Sequence, residues 1–536
     1  MTHPSDRRFA LEDFTTFSRR GFLGHSLGRL AGLAAPGLLV SGPARAETVA
    51  AAPAFQANPF ALGVASGDPS PTGVVLWTRI APMPLQANGG MPNVAVEVEW
   101  EVAADERFHQ ATARGRQIAY PELGHTVHAQ VEGLEPGRDY FYRFKVGTER
   151  SVTGRTRTLP AAGAKGPVRF GVMGCQRYEH AHFTALADLA REAPDFVYCY
   201  GDFIYEGRAM QGGDDPDRMA RTLPAAADEC FSLADYRLRY AMYRLDPDLQ
   251  AASRAAPFIA IFDDHEVSKD WMSDVHYYGH PPAVFLLRRA AALQAWYENL
   301  PLRKSSMPRG PDITAYRRFD VGGLMRLSVL DTRQYRTGRF CPAKLTSECT
   351  PDPQAKDTML GAAQEAWFAE GLKQRAPPVW TVMAQQLLMA RAHLVPKLDK
   401  WDRVPMARQR LFDALVDAKA PNPVVLSGDL HYAVGADLKR DFDAASTGPI
   451  GAEIVNLAVG SNLPVDATDA FFGKLRSDNP HIKFHSRERG WTLHTVNDKL
   501  WRAEFRAVSD PLRPGSAMKT AGVLAVEAGR PGIQLG

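Results

Sequence analysis

The chain has 536 residues, of which 45% are hydrophobic and 23% are charged, with a formal net charge of +3. This length predicts two or three domains and allows a large buried core. The nearly balanced charge gives no electrostatic case for nucleic-acid binding, and no uninterrupted apolar stretch is long enough for a stable membrane span.

The N-terminus has the pattern of an export signal. Ser18-Arg19-Arg20-Gly21-Phe22-Leu23 precedes a weakly apolar stretch rich in Gly and Ala, and Ala44-Arg45-Ala46 offers a small-residue cleavage site. Paired arginines before such a stretch are typical of twin-arginine export. We therefore predict a signal peptide over residues 1–46, recognition by the twin-arginine export machinery, and a periplasmic or secreted protein. The stretch Gly24–Gly28 matches the nucleophile elbow of serine hydrolases, but no strand precedes it and it lies in the segment to be cleaved, so we discard that function.

The chain has five cysteines: Cys175, Cys199, Cys230, Cys341 and Cys349. In an oxidising compartment Cys341 and Cys349 could close a short loop, and the odd number leaves at least one thiol unpaired. Twin-arginine export moves folded protein, so a cofactor can be loaded before the thiols meet an oxidant. A thiolate metal ligand is therefore compatible with secretion.

A small all-β domain is predicted over residues 55–158. Val94 to Val102 alternates apolar and charged residues, as a half-buried strand does. Further strands are predicted at His125–Val131 and Asp139–Val146. The stretch Leu134–Tyr140 is similar to the tyrosine corner of a fibronectin-type sandwich. We expect His125 and His128 to lie on a strand surface rather than to act as ligands.

A layered α/β core is predicted over residues 167–510. After a linker rich in Pro, Gly and Ala over residues 160–167, short apolar strands alternate with helical segments from Val168 onward. That alternation predicts buried β-sheets flanked by helices. The last residues, 511–536, are assigned to a C-terminal tail.

Polar side chains follow six apolar runs of this core. The residues directly after the runs are Gly174-Cys175-Gln176, Gly201-Asp202, Asp263-Asp264-His265-Glu266, Asp331-Thr332-Arg333, Gln385-Gln386 and Gly428-Asp429-Leu430-His431. A polar residue after a single strand can simply cap a helix. Six such ends, several with Asp, His or Cys, instead indicate one site, because ligands gather at the carboxyl ends of parallel strands. We predict a metal-centred active site there.

The residue types suit two adjacent cations. A carboxylate such as Asp202 can bridge metals about 3.5–4 Å apart, the separation used for phosphoester hydrolysis. One metal would polarise the ester oxygens, and metal binding would lower the pKa of a water to give a hydroxide nucleophile. A Cys175 thiolate and a Tyr205 phenolate suit ferric iron, whereas the hard oxygens of Asp264 and Asp429 favour Ca²⁺, Mg²⁺ or Mn²⁺ over zinc.

Several longer motifs surround these strand ends in chain order. They are Ser66-Gly67-Asp68-Pro69, Leu76-Trp77-Thr78-Arg79, Gly201-Asp202-x-x-Tyr205-Glu206, Asp263-Asp264-His265-Glu266-Val267, Gly428-Asp429-Leu430-His431, Asn479-Pro480-His481-Ile482-Lys483-Phe484 and Arg489-Gly490-Trp491. Following a twin-arginine signal, this set resembles the PhoD family of alkaline phosphatases, from about Phe60 to the C-terminal region. The resemblance implies a fibronectin-like domain followed by a metallophosphatase core, with Fe³⁺ and Ca²⁺ at the site.

The resemblance also implies a ligand set. Iron would be held by Cys175, Asp202, Tyr205 and His431, and calcium by Asp202, Asp264 and Asp429. The chain departs from the metal-ligand motifs of the broader metallophosphatases in the same way as the PhoD family does. Cys175 replaces the first ligand, Asp264 stands for Asn and Asp429 for His, and Gln385 and Gln386 occupy the strand end that would carry a further His.

His265 is the expected catalytic acid, next to Asp264. It would protonate the leaving oxygen or stabilise the phosphoryl group, and the alternative is a histidine that only orients Asp264. Arg333 and Arg177 are candidate phosphate-binding residues, because a guanidinium group matches the geometry of the anion. Each fits a structural salt bridge equally well.

The sequence therefore predicts an exported phosphatase whose substrates are phosphomonoesters, with phosphodiesters as a second class. A phosphodiesterase of phospholipase D type is the closest alternative, since PhoD-like sequences are also associated with that activity. The non-enzymatic alternative is a binding or adhesion protein that uses its β-sandwich.

Overall fold

Eight strands open the part of the chain that the structure describes. The computed structural model describes residues 54–209, 220–221, 228–337, 356–373, 376–392, 399–444, 446–465 and 467–535. The predicted signal peptide and the pair Cys341 and Cys349 lie outside these residues. The first strands are β1 (Val64–Ser70), β2 (Gly73–Arg79), β3 (Val96–Ala103), β4 (Ala111–Ala119), β5 (Thr126–Glu132), β6 (Asp139–Val146), β7 (Glu149–Arg150) and β8 (Gly154–Arg157).

These strands form two sheets that share one hydrophobic cluster. Strands β3, β4, β6, β7 and β8 make an antiparallel sheet in which β6 pairs with β3, β7 and β8. Its inner face presents Val98 and Tyr142 to Val74 and Val127 of β2 and β5. Every second residue of β6 is buried, as the two-residue period of a strand requires. The region thus packs sheet against sheet.

The predicted tyrosine corner has the expected contact. The hydroxyl of Tyr140 accepts a hydrogen bond of 2.9 Å from the backbone N–H of Glu135. Thr158 closes the same corner, because its hydroxyl donates to the Glu135 carbonyl at 2.6 Å. The fibronectin type of the domain as a whole stays a prediction.

The remaining strands and helices form the predicted layered core. The strands are β9 (Val168–Met173), β10 (Phe196–Cys199), β11 (Phe258–Ala260), β12 (Arg317–Val321), β13 (Met325–Val329), β14 (Trp380–Ala384), β15 (Pro423–Ser427), β16 (Ala433–Leu438), β17 (Gly451–Val455), β18 (Ile482–Ser486), β19 (Gly490–Val496), β20 (Leu500–Val508), β21 (Met518–Glu527) and β22 (Arg530–Leu535). The helices are α1 (Thr184–Glu192), α2 (Leu233–Arg244), α3 (Pro247–Ala255), α4 (Pro282–Asn299), α5 (Gly361–Leu372), α6 (Pro405–Asp417) and α7 (Asp469–Asp478). Among the described residues, none of the helices combines the length and apolarity needed to cross a membrane.

Two mixed sheets face each other in the core. The larger runs β22-β21-β20-β19-β9-β10-β11-β1-β2-β5, and the smaller runs β12-β13-β14-β15-β17-β16-β18. Side chains from both sheets, such as Val172 and Val424, share the main core. The other face of the smaller sheet packs under helices, where Val425 contacts a cluster with Phe412 of α6 and Phe472 of α7. Strands buried on both faces explain the continuous apolar runs of the sequence.

The larger sheet continues into the N-terminal strands. β1 pairs with β11 in parallel through Gly67 and Phe258. A Cβ at Gly67 would lie 2.6 Å from the Phe258 carbonyl oxygen and 2.5 Å from that of Pro301, so only glycine allows this approach. The described residues from 54 to 535 belong to one compact unit.

The residues assigned to a C-terminal tail extend the same sheet. β21 pairs with β20 along its length, from Leu500 with Glu527 to Val508 with Met518, and β22 follows as the edge strand. The larger sheet therefore runs past the domain end predicted at residue 510. Only Leu524 and Val526 of β21 are buried, although the apolar run Ala521–Val526 was a signal for this strand in the sequence.

His128 is buried, and its expected position on a strand surface is wrong. Its ring stacks on Tyr297 with centroids 4.4 Å apart, and Nε2 donates to the carbonyls of Tyr297 and Leu300 at 3.0 Å. The end of α4 covers this face of the sheet, which sequence alone does not reveal. His125 is buried as well. Burial lowers the pKa of His128 to about 4, although the two carbonyls oppose that shift.

The buried His128 predicts a specific loss of stability in acid. Its pKa is lower in the folded than in the unfolded protein, so the neutral ring stabilises the fold above about pH 6.5 and this contribution is lost as the pH falls towards 4. His128→Gln keeps an N–H donor and removes the titration. Between about pH 7.5 and about pH 4.5, the parent should lose about 2 kcal/mol more unfolding free energy than the variant. Urea unfolding at both pH values measures this difference, and equal losses would contradict the assignment.

Candidate metal centre

Four strands end at the residues predicted to bind metal. β9 leads to Cys175, β10 to Asp202, β11 to Asp264, and β15 to Asp429. Asp263, which was not predicted as a ligand, directly precedes Asp264. β9, β10 and β11 run parallel, so their carboxyl ends meet at one edge of the larger sheet. β15 brings the corresponding edge of the smaller sheet to the same place, where Asp429 lies beside Asp263 and Asp264.

Two glycines allow the sheets to approach at this edge. The ring of Tyr200 fills the space beside them: a Cβ would lie 2.3 Å from the ring at Gly174 and 2.2 Å from it at Gly428. The Tyr200 hydroxyl donates to the Leu457 carbonyl at 2.9 Å. Each glycine directly precedes a predicted ligand, so the absence of a side chain there sets the position of the ligand that follows.

The backbone is strained at four predicted ligands. Their φ angles lie in the left-handed region, at 48° for Cys175, 55° for Asp202, 65° for Asp429 and 63° for His431. Such a conformation costs about 1–2 kcal/mol for a residue other than glycine. The buried carboxylate of Glu266 holds part of this arrangement, because it accepts from the backbone N–H groups of Asp202, Phe203 and Asp263 at 3.1, 2.6 and 2.8 Å.

A first group combines a thiol, a carboxylate and an imidazole. Ligand atoms of Cys175, Asp202 and His431 lie within 4.8 Å of one another, and Cys175 Sγ is 3.4 Å from Asp202 Oδ2. The Tyr205 hydroxyl donates to the same oxygen at 2.7 Å and lies 3.1 Å from His431 Nε2. His431 Nδ1 donates to the Asn462 carbonyl at 2.7 Å, so Nε2 can serve as a ligand. The structure thus brings together all four residues predicted for iron.

Two further groups of potential ligands are linked to the first through shared acidic residues, one after the other. Asp202, Asp264 and His265 form one, and Asp263, Asp264 and Asp429 form the other, each with ligand atoms within 4.8 Å. Asp202 belongs to the first two groups, and Asp264 to the last two. Of the residues predicted for calcium, Asp202 and Asp429 each lie close to Asp264, but not together in one group. A shared carboxylate is how two cations are held at short distance.

The electrostatics of the site fit bound cations. Burial raises the pKa of Asp202 to about 6, and burial together with the charge of Asp264 raises the pKa of Asp429 well above its usual range. Among the described residues, Asp264 Oδ1 and Asp263 Oδ2 are buried without a hydrogen-bond donor. Leaving such an oxygen unpartnered costs about 1–3 kcal/mol or more, and cation binding would remove that cost.

The three groups differ in donor chemistry. The first offers sulfur, nitrogen and phenol oxygen beside one carboxylate, a set that suits a transition metal. The third offers carboxylate oxygens alone, which suit a hard cation such as calcium. Burial lowers the pKa of His431 to about 4, so its imidazole is neutral, as a metal ligand must be.

His265 lies against the shared carboxylates. Its Nδ1 is 2.7 Å from Glu206 Oε2, whereas its Nε2 is 3.8 Å from Asp264 Oδ2. The hydrogen bond therefore goes to Glu206, whereas His265 Nε2 and Asp264 are only at ion-pair distance. Burial alone would lower the pKa of His265, but the charges of Asp264, Glu206 and Asp202 outweigh it and raise the pKa to about 10.

Glu206 is a residue of the site for which no role was predicted. Its buried carboxylate bonds His265 through one oxygen and accepts from the Lys269 N–H at 2.7 Å through the other. The available signal was its position beside Tyr205 in the motif Gly201–Glu206. Its partner His265 lies 59 residues away in the chain, so only the fold reveals the contact.

The two candidate phosphate-binding arginines occupy different environments. Arg333 is fully buried, lies 2.5 Å from Asp263 and 3.7 Å from Asp264, and also pairs with Asp399. These contacts favour the structural salt bridge that the sequence left open. Arg177 is partly exposed, and its guanidinium lies 5.5 Å from the centre of the Tyr205 ring. Arg177 is therefore the better placed of the two to meet an incoming anion.

The glutamines at the end of β14 are structural. Gln386 donates to the carbonyls of Phe262 and Leu330 at 3.0 Å and thereby ties the two sheets together. Gln385 donates to the Ser427 hydroxyl at 2.7 Å and accepts from the Trp401 ring N–H at 3.1 Å. Their hydrogen-bonding groups are thus directed to the protein itself.

Comparison with known proteins identifies relatives along the chain. Residues 170–505 match the family described as PhoD-like phosphatase, and residues 45–160 match its N-terminal domain. The chain is 40% identical over 529 residues to alkaline phosphatase D of Bacillus subtilis (strain 168), covering 97% of this chain and 89% of that protein.

Solved structures give the same relationship. A structure described as PhoD superimposes with a TM-score of 0.84 at 38% identity and covers 90% of this chain and 93% of that one. Purple acid phosphatase PPD1 from yellow lupin (Lupinus luteus) seeds gives a TM-score of 0.51 at 12% identity, over 88% of this chain and 74% of that one. The second likeness concerns the fold alone, and it agrees with the predicted metallophosphatase type of core.

Proposed function

Because the chain belongs to the PhoD-like phosphatase family and is a phosphoric ester hydrolase, we propose that it is an exported alkaline phosphatase that hydrolyses phosphomonoesters at a dinuclear metal centre. The observation that carries the proposal is the position of Asp202, whose carboxylate belongs to two adjacent groups of potential ligands. Family membership excludes the binding or adhesion protein considered from the sequence.

The proposed cofactors are Fe³⁺ and Ca²⁺. Iron would be held by Cys175, Asp202, Tyr205 and His431, and calcium by Asp202, Asp264 and Asp429. Bound there, the two cations would supply polarisation of the phosphoryl oxygens and a water of lowered pKa. The Asp264 oxygen that lacks a hydrogen-bond donor, and the thiol and phenol beside Asp202, support this division.

The residues of the chain have separate tasks in this proposal. His265 holds a proton at neutral pH and gives it to the leaving oxygen, and Glu206 fixes the ring through its hydrogen bond to Nδ1. Asp264 is kept in place by the backbone N–H of Asp270, which donates to Oδ2 at 2.7 Å. Arg177 is the proposed contact for the phosphate group at the rim.

We further propose the domain plan and location predicted from the sequence. Residues 1–46 would direct twin-arginine export, residues 55–158 would form a fibronectin-like accessory domain, and the catalytic domain would begin at residue 167. The N-terminal family match supports the accessory domain. The enzyme would then work in the periplasm or outside the cell, where calcium is available to a weak site.

An ester panel tests the proposed function. The full-length mature protein should hydrolyse p-nitrophenyl phosphate, lose this activity in EGTA and recover it when Ca²⁺ is returned. Bis-p-nitrophenyl phosphate and phosphatidylcholine should be poorer substrates by kcat/KM. Release of choline from phosphatidylcholine as the best reaction would favour the phospholipase D alternative, and full monoester activity in EGTA would remove calcium from the proposal.

A further inference from the structure

One short loop contacts Cys175, Tyr205 and His431, three of the four residues predicted for iron. This segment, Val459–Asn462, follows β17 and is called the 459–462 loop below. Its backbone N–H groups bind the end of β9: Val459 donates to the Gly174 carbonyl at 3.0 Å, and Gly460 and Ser461 donate to the Cys175 carbonyl at 3.2 and 3.0 Å. The loop thereby holds the strained backbone of Cys175.

Ser461 reaches Tyr205 as well. Its buried hydroxyl oxygen lies 2.6 Å from the Tyr205 hydroxyl and 2.8 Å from the Cys175 carbonyl oxygen, and it accepts from the Arg177 N–H at 3.3 Å. A serine hydroxyl has one proton to donate. Since the Cys175 carbonyl already has two backbone N–H partners, the Ser461 proton is available to Tyr205 without leaving that carbonyl unsatisfied.

Asn462 binds His431, the third of these residues. Its carbonyl accepts from His431 Nδ1 at 2.7 Å, and this contact fixes which nitrogen faces the first group. Asn462 is fixed in turn, because its N–H donates to His180 Nδ1 at 3.0 Å and its side-chain oxygen accepts from Arg489 at 2.8 Å. This gives a role to Arg489, part of a motif that the sequence singled out without a function.

We infer that the 459–462 loop is the outer support of the first cation position, and that Ser461 donates a hydrogen bond to Tyr205 when Tyr205 binds the metal as a phenolate. The inference rests on the proposed iron site. As a phenol, Tyr205 donates to Asp202; as a phenolate, it is left with acceptor capacity only. Ser461 lies within hydrogen-bond distance and can rotate to supply the donor.

The support is selective for one of the two cations. Cys175 and His431, which the loop contacts, belong only to the first group, and Asp264 and Asp429 belong only to the others. Hydrogen bonds to metal ligands tune affinity by about 10- to 100-fold. Loss of the Ser461 hydroxyl should therefore weaken binding of the cation at the first group and leave binding of the cation at Asp264 and Asp429 unchanged. Ser461 is in this sense a positioning residue.

The test compares Ser461→Ala with Ser461→Thr, which keeps the hydroxyl, and with Ser253→Ala, which removes a buried hydroxyl that contacts Arg244 on α2. Each full-length protein is loaded with iron and calcium. The readouts are the visible absorption band, the iron and calcium retained after dialysis against a chelator, and the melting temperature of the metal-free protein.

We expect Ser461→Ala to move the band to longer wavelength, because a phenolate without its donor is more easily oxidised, and to lower iron retention about 10-fold with calcium unchanged. Ser461→Thr should restore the band, and Ser253→Ala should not move it. An unchanged band and an unchanged iron content in Ser461→Ala would overturn this inference and leave the proposed iron site standing. Equal loss of both metals would overturn its selectivity. A parent protein with neither iron nor a visible band would overturn the proposed iron site and this inference with it.

Discussion

Asp202→Asn is expected to remove phosphomonoester hydrolysis almost completely, by about 10³-fold or more in kcat/KM. Asparagine keeps the size of the side chain but loses its charge and replaces one oxygen with an amide nitrogen. Because Asp202 belongs to two ligand groups, both cation positions lose a ligand in this single change. Cations at such sites stabilise the transition state by several kcal/mol, and about 1.4 kcal/mol corresponds to a factor of ten.

A buried aspartate outside the site gives the matched control. Asp188 on α1 accepts from the Trp491 ring N–H at 3.1 Å and pairs with Arg506 at 3.0 Å. Asp188→Asn should lower the melting temperature through loss of that ion pair while kcat stays near that of the parent. Steady-state kinetics and elemental analysis measure both variants. Parent-like turnover by Asp202→Asn with a full complement of both metals would remove Asp202 from the centre.

The second large effect concerns His265 and depends on the leaving group. His265→Asn should lower kcat by about 10²- to 10⁴-fold for an alkyl phosphate, whose leaving oxygen needs a proton. For p-nitrophenyl phosphate the loss should be far smaller, because p-nitrophenolate leaves without protonation. Glu206→Gln keeps a hydrogen-bond acceptor for His265 Nδ1 but removes the negative charge beside the imidazolium. It should therefore lower kcat for the alkyl phosphate too, by a smaller factor than His265→Asn.

The ratio of kcat for the alkyl phosphate to kcat for p-nitrophenyl phosphate distinguishes a catalytic acid from a residue that only positions its neighbours. His128→Gln, a histidine variant in the β5–α4 contact, should leave the ratio at the parent value. An equal loss on both esters would mean that His265 acts only by positioning its neighbours, and would return the assignment to the alternative that the sequence left open.

Much of the core was predictable because its strands are short, apolar and ended by polar residues. The run at Val168–Met173 became β9, and the run predicted at Phe196–Tyr200 became β10, Phe196–Cys199. Parallel strands place their carboxyl ends at one edge whatever the order of the strands. That rule alone was enough to collect Cys175, Asp202 and Asp264 into one predicted site.

The contacts that sequence could not predict join residues far apart in the chain. Nothing in the alternation of β5 shows that α4 covers His128, and nothing near Ser461 points to Tyr205, which lies 256 residues away. Arg333 was a candidate phosphate-binding residue because a guanidinium group matches the geometry of the anion, and a structural salt bridge was the alternative. Its burial against Asp263 is a property of the packed sheets.

Iron bound by Cys175, Asp202, Tyr205 and His431 is central to the proposed mechanism. Anomalous diffraction from crystals, measured just above and just below the iron absorption edge, tests this directly. We expect one strong iron peak within bonding distance of Cys175 Sγ, Tyr205 Oη and His431 Nε2, and no iron signal between Asp264 and Asp429. Absence of the peak from active protein, or an iron peak at Asp264 and Asp429, would contradict the proposed iron site.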